Sequence, residues 1–308
     1  MINICWLQIR YRHWLLLCFA LSLTLIVSYL SQPVSAAAGH KATLRNTKPH
    51  SKVTAAPFSV LLFTKTAGFR HGSIPDGIAA VTTLGQQHNF DVLASEDAAV
   101  FTDEQLAKHQ VIIFLNTTGD ILDETQQAAL ERFIQSGGGF VGIHSATDTE
   151  YDWPWYGQLV GAYFANHPPI QSATVQVLEP THPSTQPLPN RWTRTDEWYN
   201  FQAVPAPTVT ILAEVDESTY TGGTMGSPHP LVWAHQYDGG RAWYTAMGHT
   251  SESYTDPLFQ QHLWGGIVWA AGQQDIVYLP TLLHHAEVNH IVRCSPHSQP
   301  PLFSERRR

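Results

Sequence analysis

Short segments that are apolar at almost every position recur through the first half of this chain. They are FSVLLFT from Phe58, FDVLA from Phe90, VIIFLN from Val111 and GFVGI from Gly139. Segments this short are typical of strands, and apolarity on both faces is typical of a parallel sheet that helices cover on both sides. Helix-start signals stand between them, at Ser73 with Pro75 and Asp76, at TDEQL, and from Asp123 to Gln135. The alternation predicts an α/β fold with a doubly wound, mostly parallel sheet.

Further strands are predicted in the second half. ATVQVLE and the segment from Val209 to Val215 are two of them, and PLVWAHQ and GRAWYTA form a pair across the turn YDGGR. A last helix is expected from Asp256 to about Ala271. With no internal repeat in view, residues 57–280 are predicted to form one domain.

The two ends of the chain have a different character. Arg10 and Arg12 precede an apolar run from Leu15 to Leu30 and then SQPVSAAAGH, which is the layout of a secretory signal. We expect residues 1–36 to be a signal peptide that directs the chain to the periplasm or the exterior, with an uncleaved membrane anchor as the alternative. Residues 37–56 are predicted to be a polar linker, and residues 281–308 a flexible tail.

Charge and cysteine content exclude some functions. The formal net charge is −8, and loss of residues 1–36 would remove Arg10 and Arg12 but no acidic residue, giving −10. Such an acidic chain, with no basic cluster outside its tail, is a poor partner for nucleic acid. Only Cys294 lies outside the leader, since the other cysteines are Cys5 and Cys18, so the mature chain is expected to form no internal disulfide.

Polar residues follow the predicted strands, at the edge where open parallel sheets bind ligands. They are Arg70 and His71, Asn116 to Asp120, and His144, Ser145 and Asp148, joined from later segments by His167, Asp196, Glu197 and His249. His144 stands out, because three glycines precede its strand and Gly142 permits a tight turn. A hydrogen-bonded structural histidine is the alternative. Ser145 is expected to be a helix N-cap rather than a nucleophile, since GIHSA departs from G-x-S-x-G.

Carboxylates and aromatic rings suggest a second set of roles. Asp196 and Glu197 are flanked by Trp192, Trp198 and Tyr199, and burial beside these rings would raise the pKa of at least one of the two carboxyl groups and suit it to acid–base catalysis. His144, Glu197 and Asp148 are therefore the catalytic candidates. Arg70 and His71 are candidates for substrate binding, as are the rings of Trp153, Trp155, Tyr156, Trp198 and Tyr199, for which a core role is the alternative.

The histidines raise the question of a metal. His71, His144, His167 and His249 are candidate ligands for a divalent cation, since neutral imidazole suits such ions. Because no H-x-H or H-x-x-x-H spacing occurs among them, this expectation depends on the predicted fold.

Six motifs in order resemble the ThuA-like family, named for trehalose utilisation. They are GFRHGSI, GGGFVGIHSATDT, WPWYGQLVGAYFANHP, DEWYNF, HPLVWAHQYDGGRAWYTAMGH and HLWGGIVWAAG, between about Phe58 and Gly272. The resemblance implies a flavodoxin-like sheet related to class I glutamine amidotransferases. In those enzymes a nucleophilic Cys stands at the strand end, whereas His144 stands here, so amidotransferase chemistry is disfavoured.

The resemblance also implies a role in disaccharide metabolism, with a sugar dehydrogenase in the same pathway as a partner. We expect an exported enzyme acting on a disaccharide or its 3-keto derivative by acid–base, or metal-assisted, chemistry. A non-catalytic carbohydrate-binding module and an oligomerisation scaffold, the latter as a homo-oligomer, are the alternatives.

Overall fold

The computed structural model describes residues 58–273. The strands are β1 (Ser59–Phe63), β2 (Asp91–Ser95), β3 (Val111–Leu115), β4 (Gly139–Ile143), β5 (Phe164–Asn166), β6 (Gln171–Val177), β7 (Arg191–Asp196), β8 (Asn200–Phe201), β9 (Thr210–Asp216), β10 (Pro230–Tyr237) and β11 (Gly240–Thr245). The helices are α1 (Ile74–His88), α2 (Asp103–Leu106), α3 (Glu124–Gln135), α4 (Pro154–Val160), α5 (Ser251–Thr255) and α6 (Pro257–Ala270). The predicted leader, linker and tail lie outside the described residues.

Nine strands form one sheet in the order β2-β1-β3-β4-β11-β10-β9-β6-β7. The first five are mutually parallel, so their carboxyl ends share one edge. The α/β prediction is confirmed, and the four remaining strands extend the sheet in antiparallel fashion. A separate two-stranded ribbon pairs β5 with β8.

Burial explains why the central parallel strands were visible in the sequence. Every residue of β3 and β4 is buried, and a large apolar side chain contributes roughly 1.5–3 kcal/mol when it is removed from water. By contrast, β7 alternates exposed and buried residues, and its letters RWTRTD carry no apolar run. This strand was therefore not predicted from the sequence.

Two local predictions are confirmed by the backbone. Asp123 caps α3 in a capping box with Gln126, and the turn between β10 and β11 places Asp238 and Gly239 at φ values of 47° and 95°. Left-handed residues at both positions match the twist of a two-residue hairpin.

The helices are apolar where they cover the sheet. A Cβ atom at Gly77 of α1 would lie 2.7 Å from a methyl group of Leu115, and one at Gly266 of α6 would lie 2.5 Å from the Trp243 ring. These glycines let the helices approach the strands closely. Among residues 58–273, no helix combines the length and apolarity needed to cross a membrane.

Candidate functional site

His144 stands directly after β4, where the chain turns sharply. Its φ of 50° is left-handed, a conformation that costs energy for any residue with a side chain. The carbonyl oxygen of His144 accepts a hydrogen bond from the Tyr244 hydroxyl, and its ring packs 4.2 Å from the Tyr199 ring. The turn is therefore fixed by buried neighbours, at the strand-end position where α/β-hydrolases hold their nucleophile.

The hydrogen bonds of the His144 ring determine which nitrogen carries the proton. Nδ1 lies 2.8 Å from the carbonyl oxygen of Ala246, and a carbonyl can only accept, so Nδ1 donates. In the neutral ring, Nε2 then presents a lone pair. It points to His249 Nδ1, at 3.1 Å, and to Glu197 Oε2, at 3.4 Å.

Three histidines and one carboxylate converge at this point. His249 Nδ1 lies 3.0 Å from Glu197 Oε2, and the His71 ring stands edge-on to His144 and His249, with centroids 4.9 and 5.0 Å away. One ligand atom from each of His71, His144, Glu197 and His249 lies within 4.8 Å of the others. The structure thus brings together residues from the ends of β1, β4, β7 and β11.

Burial governs the ionisation of His71. Burial first, and then the neighbouring His144 and His249, lower the pKa of His71 to about 3. This imidazole is neutral at physiological pH and can act as a ligand or an acceptor.

Glu197 does not have the raised pKa that the sequence predicts for at least one carboxyl group of the Asp196–Glu197 pair. Burial acts in that direction, but the hydrogen bonds and positive charge that His144 and His249 supply in their protonated forms outweigh it and lower the pKa of Glu197 to about 2. The carboxylate is therefore ionised in the site, and it suits a ligand better than a general acid.

Asp196 connects the backbone segments that carry two residues of the cluster, Glu197 and His249. It is fully buried and accepts hydrogen bonds from the backbone N–H groups of Gly248 and His249 and of Glu197. The Arg194 guanidinium, 3.1 Å away, and the Ser253 hydroxyl complete its shell. One carboxylate consequently fixes the backbone at both Glu197 and His249.

Asp148 and His167 lie at the rim of the cluster. His167 Nδ1 is 3.0 Å from Glu197 Oε1, so His167 contacts the outer oxygen of the carboxylate and not the cluster centre. Asp148 accepts a hydrogen bond of 2.6 Å from the Tyr151 hydroxyl. Burial raises the pKa of Asp148 although that hydrogen bond opposes it, which makes this carboxylate a stronger base than usual.

Most of the rings predicted to contact substrate are core residues instead. Tyr156 and Trp198 are fully buried, and Trp153 is stacked between Trp155 and Tyr156. Trp155 donates a hydrogen bond to Asp238, at the amino end of β11 and thus at the opposite sheet edge from His144. Apolar packing in or against the core accounts for the rings of these four residues.

Other predicted residues occupy intermediate positions. Tyr199 is buried and its ring packs against the His144 ring, so it helps to hold that ring in position. Arg70 is exposed and paired with Glu96 at 2.6 Å. Ser145 caps no helix; its hydroxyl lies 3.4 Å from His71 Nδ1 within a short 3-10 turn, because the chain coils immediately after β4.

The cluster geometry fits a divalent metal ion. Tetrahedral ligands at 2.0–2.1 Å from zinc are about 3.3 Å apart, and the three closest ligand atoms here are separated by 3.0, 3.1 and 3.4 Å. The His144 tautomer is also the one that a ligating histidine takes when its other nitrogen donates to a carbonyl. A single proton on His249 Nδ1 is the alternative way to join these atoms.

Comparison with known proteins identifies the family. The family model described as trehalose utilisation, ThuA, matches residues 59–270. The chain belongs to the ThuA family. No curated protein matches the chain significantly.

Solved ThuA-like proteins have the same fold. One from Bacteroides uniformis is 23% identical with a TM-score of 0.62, and the match covers 72% of this chain and 95% of that protein. Another, from Parabacteroides merdae, is 20% identical with a TM-score of 0.62, over 73% of this chain and 94% of that protein. The predicted family membership is confirmed, and ThuA membership suggests a sugar-related role.

Proposed function

We propose that this ThuA protein is an enzyme that processes a disaccharide or its 3-keto derivative with the help of a divalent metal ion. The observation that carries the proposal is the convergence of His71, His144, His249 and Glu197 at the carboxyl edge of the parallel strands. A carbohydrate-binding module would need exposed rings but no such buried cluster, and burial of Trp153, Tyr156 and Trp198 removes much of the aromatic surface expected of one.

The four residues have ligand roles in this proposal. His144 and Glu197, considered from sequence as base and acid, now belong to the ligand set together with His71 and His249. A divalent cation held there would supply positive charge to a carbonyl or enediolate oxygen. Proton transfer then falls to the rim, where Asp148 and His167 lie.

A 3-keto glycoside suits this arrangement chemically. The C2 hydrogen is acidified by the neighbouring C3 carbonyl, and Asp148 would accept that proton as a base. Formation of the C1–C2 double bond breaks the bond from C1 to the glycosidic oxygen. The leaving oxygen takes a proton from His167 or from water, so atoms and charge balance without an external oxidant.

Metal content and turnover of the purified protein test the proposal. We expect about one divalent ion per chain, lost on treatment with a chelator and absent in His144→Asn, since asparagine tolerates the left-handed backbone at this position. His109→Gln is the control, because His109 bonds Ser59 at the amino end of β1. Conversion of 3-keto-trehalose should stop after chelation and resume when the ion is restored.

The outcomes separate the parts of the proposal. Turnover by a metal-free protein would refute the metal and return His144 and Glu197 to acid–base roles. Metal binding without turnover of any keto-disaccharide would refute the substrate class.

Export and a pathway partner complete the proposal. The basic residues Arg10 and Arg12 before the apolar run from Leu15 to Leu30 support export to the periplasm or exterior. A 3-keto sugar is made by oxidation of a hydroxyl group, so a sugar dehydrogenase would supply the substrate. The mass of the protein recovered from cells would locate the cleavage point near residue 36, and an intact amino terminus would contradict it.

A further inference from the structure

Phe69 exposes an aromatic ring beside the cluster. It lies on the loop after β1 and is 66% exposed, with its ring edge-on to His71 at a centroid distance of 4.9 Å. An exposed phenyl group in contact with a buried polar cluster offers an apolar face next to groups that bind oxygen.

The loop that carries Phe69 is held in place. Thr118 Oγ1 accepts a hydrogen bond from Gly68 N and donates one of 2.9 Å to the Phe69 carbonyl. The Thr118 carbonyl accepts another bond, from Ala67 N at 2.7 Å. The ring is therefore presented by an ordered backbone, which reduces the entropy that a ligand would have to remove.

A second exposed ring stands on the same rim. Tyr151 is 37% exposed, and its hydroxyl donates to Asp148. Its loop is bonded to the β3 loop through Gly119 N, which donates to the Asp148 carbonyl, and Glu150 N, which donates to the Gly119 carbonyl. The loop after β3, which contains Thr118 and Gly119, is thus hydrogen-bonded to the loop of Phe69 and to the loop of Tyr151.

These two rings differ from the other exposed apolar groups. Within residues 58–273, the remaining large apolar side chains that are well exposed are aliphatic: Leu93, Ile170, Leu178 and Val204. Single exposed aliphatic residues are ordinary on protein surfaces. Both well-exposed aromatic rings of the described residues, by contrast, lie at the candidate site.

We infer that Phe69 and Tyr151 form an aromatic clamp that holds the pyranose ring of the substrate. The C–H face of the pyranose that lies opposite the axial glycosidic oxygen of trehalose packs against Phe69, while the carbonyl and hydroxyl oxygens of the sugar face the histidine cluster. Tyr151 borders the other side and keeps Asp148 in place through its hydroxyl. This inference rests on the proposed function, whose substrate class it narrows to pyranosides with an uninterrupted C–H face.

Ligand binding by variants of Phe69 tests the clamp. Trehalose and 3-keto-trehalose are titrated into the metal-loaded protein by calorimetry, and saturation-transfer NMR identifies the sugar protons in contact with it. We expect Phe69→Ala to weaken binding about tenfold and to abolish saturation of the protons on one ring face. Phe69→Tyr should keep the affinity and the saturation pattern. Phe69→Leu should resemble Phe69→Ala because it loses the flat ring, although it retains apolar volume.

Controls distinguish the clamp from other effects. Leu93→Ala removes an exposed apolar group from β2 and should bind sugar as the wild type does, and metal content should be unchanged in every Phe69 variant. If the wild type binds sugar and Phe69→Ala binds it equally well with the same saturation pattern, the clamp is refuted and the proposed function stands. If the wild type binds neither disaccharide, the proposed function falls, and the clamp with it.

Discussion

At the scale of single residues, the candidate site depends on groups that hold the histidines in place. His144 donates through Nδ1 to Ala246, and Asp196 gathers the backbone of Glu197 and His249. Such outer hydrogen bonds orient metal ligands and commonly change metal affinity by factors of about 10–100. Geometry at the centre is thus set by residues that do not reach it.

Replacement of Asp196 should weaken metal binding. In Asp196→Asn an amide NH₂ group would replace one carboxylate oxygen that accepts hydrogen bonds from backbone N–H groups. Donor would then face donor, so the loop of His249 and the strand end of Glu197 would shift apart. We expect the metal dissociation constant to rise by a factor of about 10–100, measured by competition with a fluorescent chelator.

A surface aspartate supplies the control for that change. Asp216→Asn alters an aspartate that pairs with Arg191 on the surface, and it should leave the metal affinity as it is. An Asp196→Asn protein with wild-type affinity and an unchanged near-UV spectrum would show that Asp196 does not position the ligands.

Part of this site was predictable from the sequence. His144 was visible because glycines surround a strand end, and His71 and His249 because each follows an apolar strand. The positioning role of Asp196 was not predicted, because three of its five partners, Gly248, His249 and Ser253, come from a distant segment. Phe69 gave no signal, because a single phenylalanine in a loop reads equally well as core.

At the scale of elements, the pattern of apolar runs was sufficient to predict the strands in the parallel half of the sheet. β1, β3 and β4 are buried on both faces, so their letters are continuous apolar runs. β7 packs one face only, and RWTRTD therefore resembles a loop in sequence. The rings near Trp153 left two roles open for a related reason, because composition does not distinguish a buried aromatic cluster from an exposed one.

Helix α6 offers a test in which packing opposes helix propensity. Alanine is favoured over glycine inside a helix by about 1 kcal/mol, but a Cβ atom at Gly265 would overlap the backbone carbonyl of Pro183. Because backbone cannot move aside easily, we expect Gly265→Ala to lower the free energy of unfolding by about 1–3 kcal/mol, measured by urea titration.

The same helix provides the comparison. Gln261 is exposed, so Gln261→Ala should change the free energy of unfolding by less than about 0.5 kcal/mol. An increase in stability in Gly265→Ala would mean that the segment around Pro183 can retreat from α6.

At the scale of the whole molecule, buried neutral histidines make the fold sensitive to acid. His262 is fully buried and hydrogen-bonded to Ser184 and Thr245. Burial foremost lowers the pKa of His262 to about 3, against about 6.5 in an unfolded chain. Its neutral form therefore contributes stability that is complete above pH 6.5 and is lost as the pH falls towards 3.

A histidine variant would reveal this contribution. His262→Asn keeps a donor for the Ser184 carbonyl but has no group that titrates, so it should be less stable than the wild type at pH 8. That deficit should shrink by up to about 1.4 kcal/mol for each pH unit below 6.5, measured by urea titrations at several pH values. In Gln261→Ala the difference from the wild type should be independent of pH, and a constant deficit in His262→Asn would contradict the assignment.

The candidate ligands are also synthesised in a fixed order along the chain. His71 lies near the start of the described domain and His249 near its end, and Glu197 belongs to the antiparallel extension of the sheet. The four candidate ligands can therefore come together only when almost the entire domain has folded. During synthesis, a chain released before β11 would have His71 and His144 but neither β11 nor the loop that places His249. A tight metal site would thus arise only in a finished domain, and ion capture would report that folding had gone to completion.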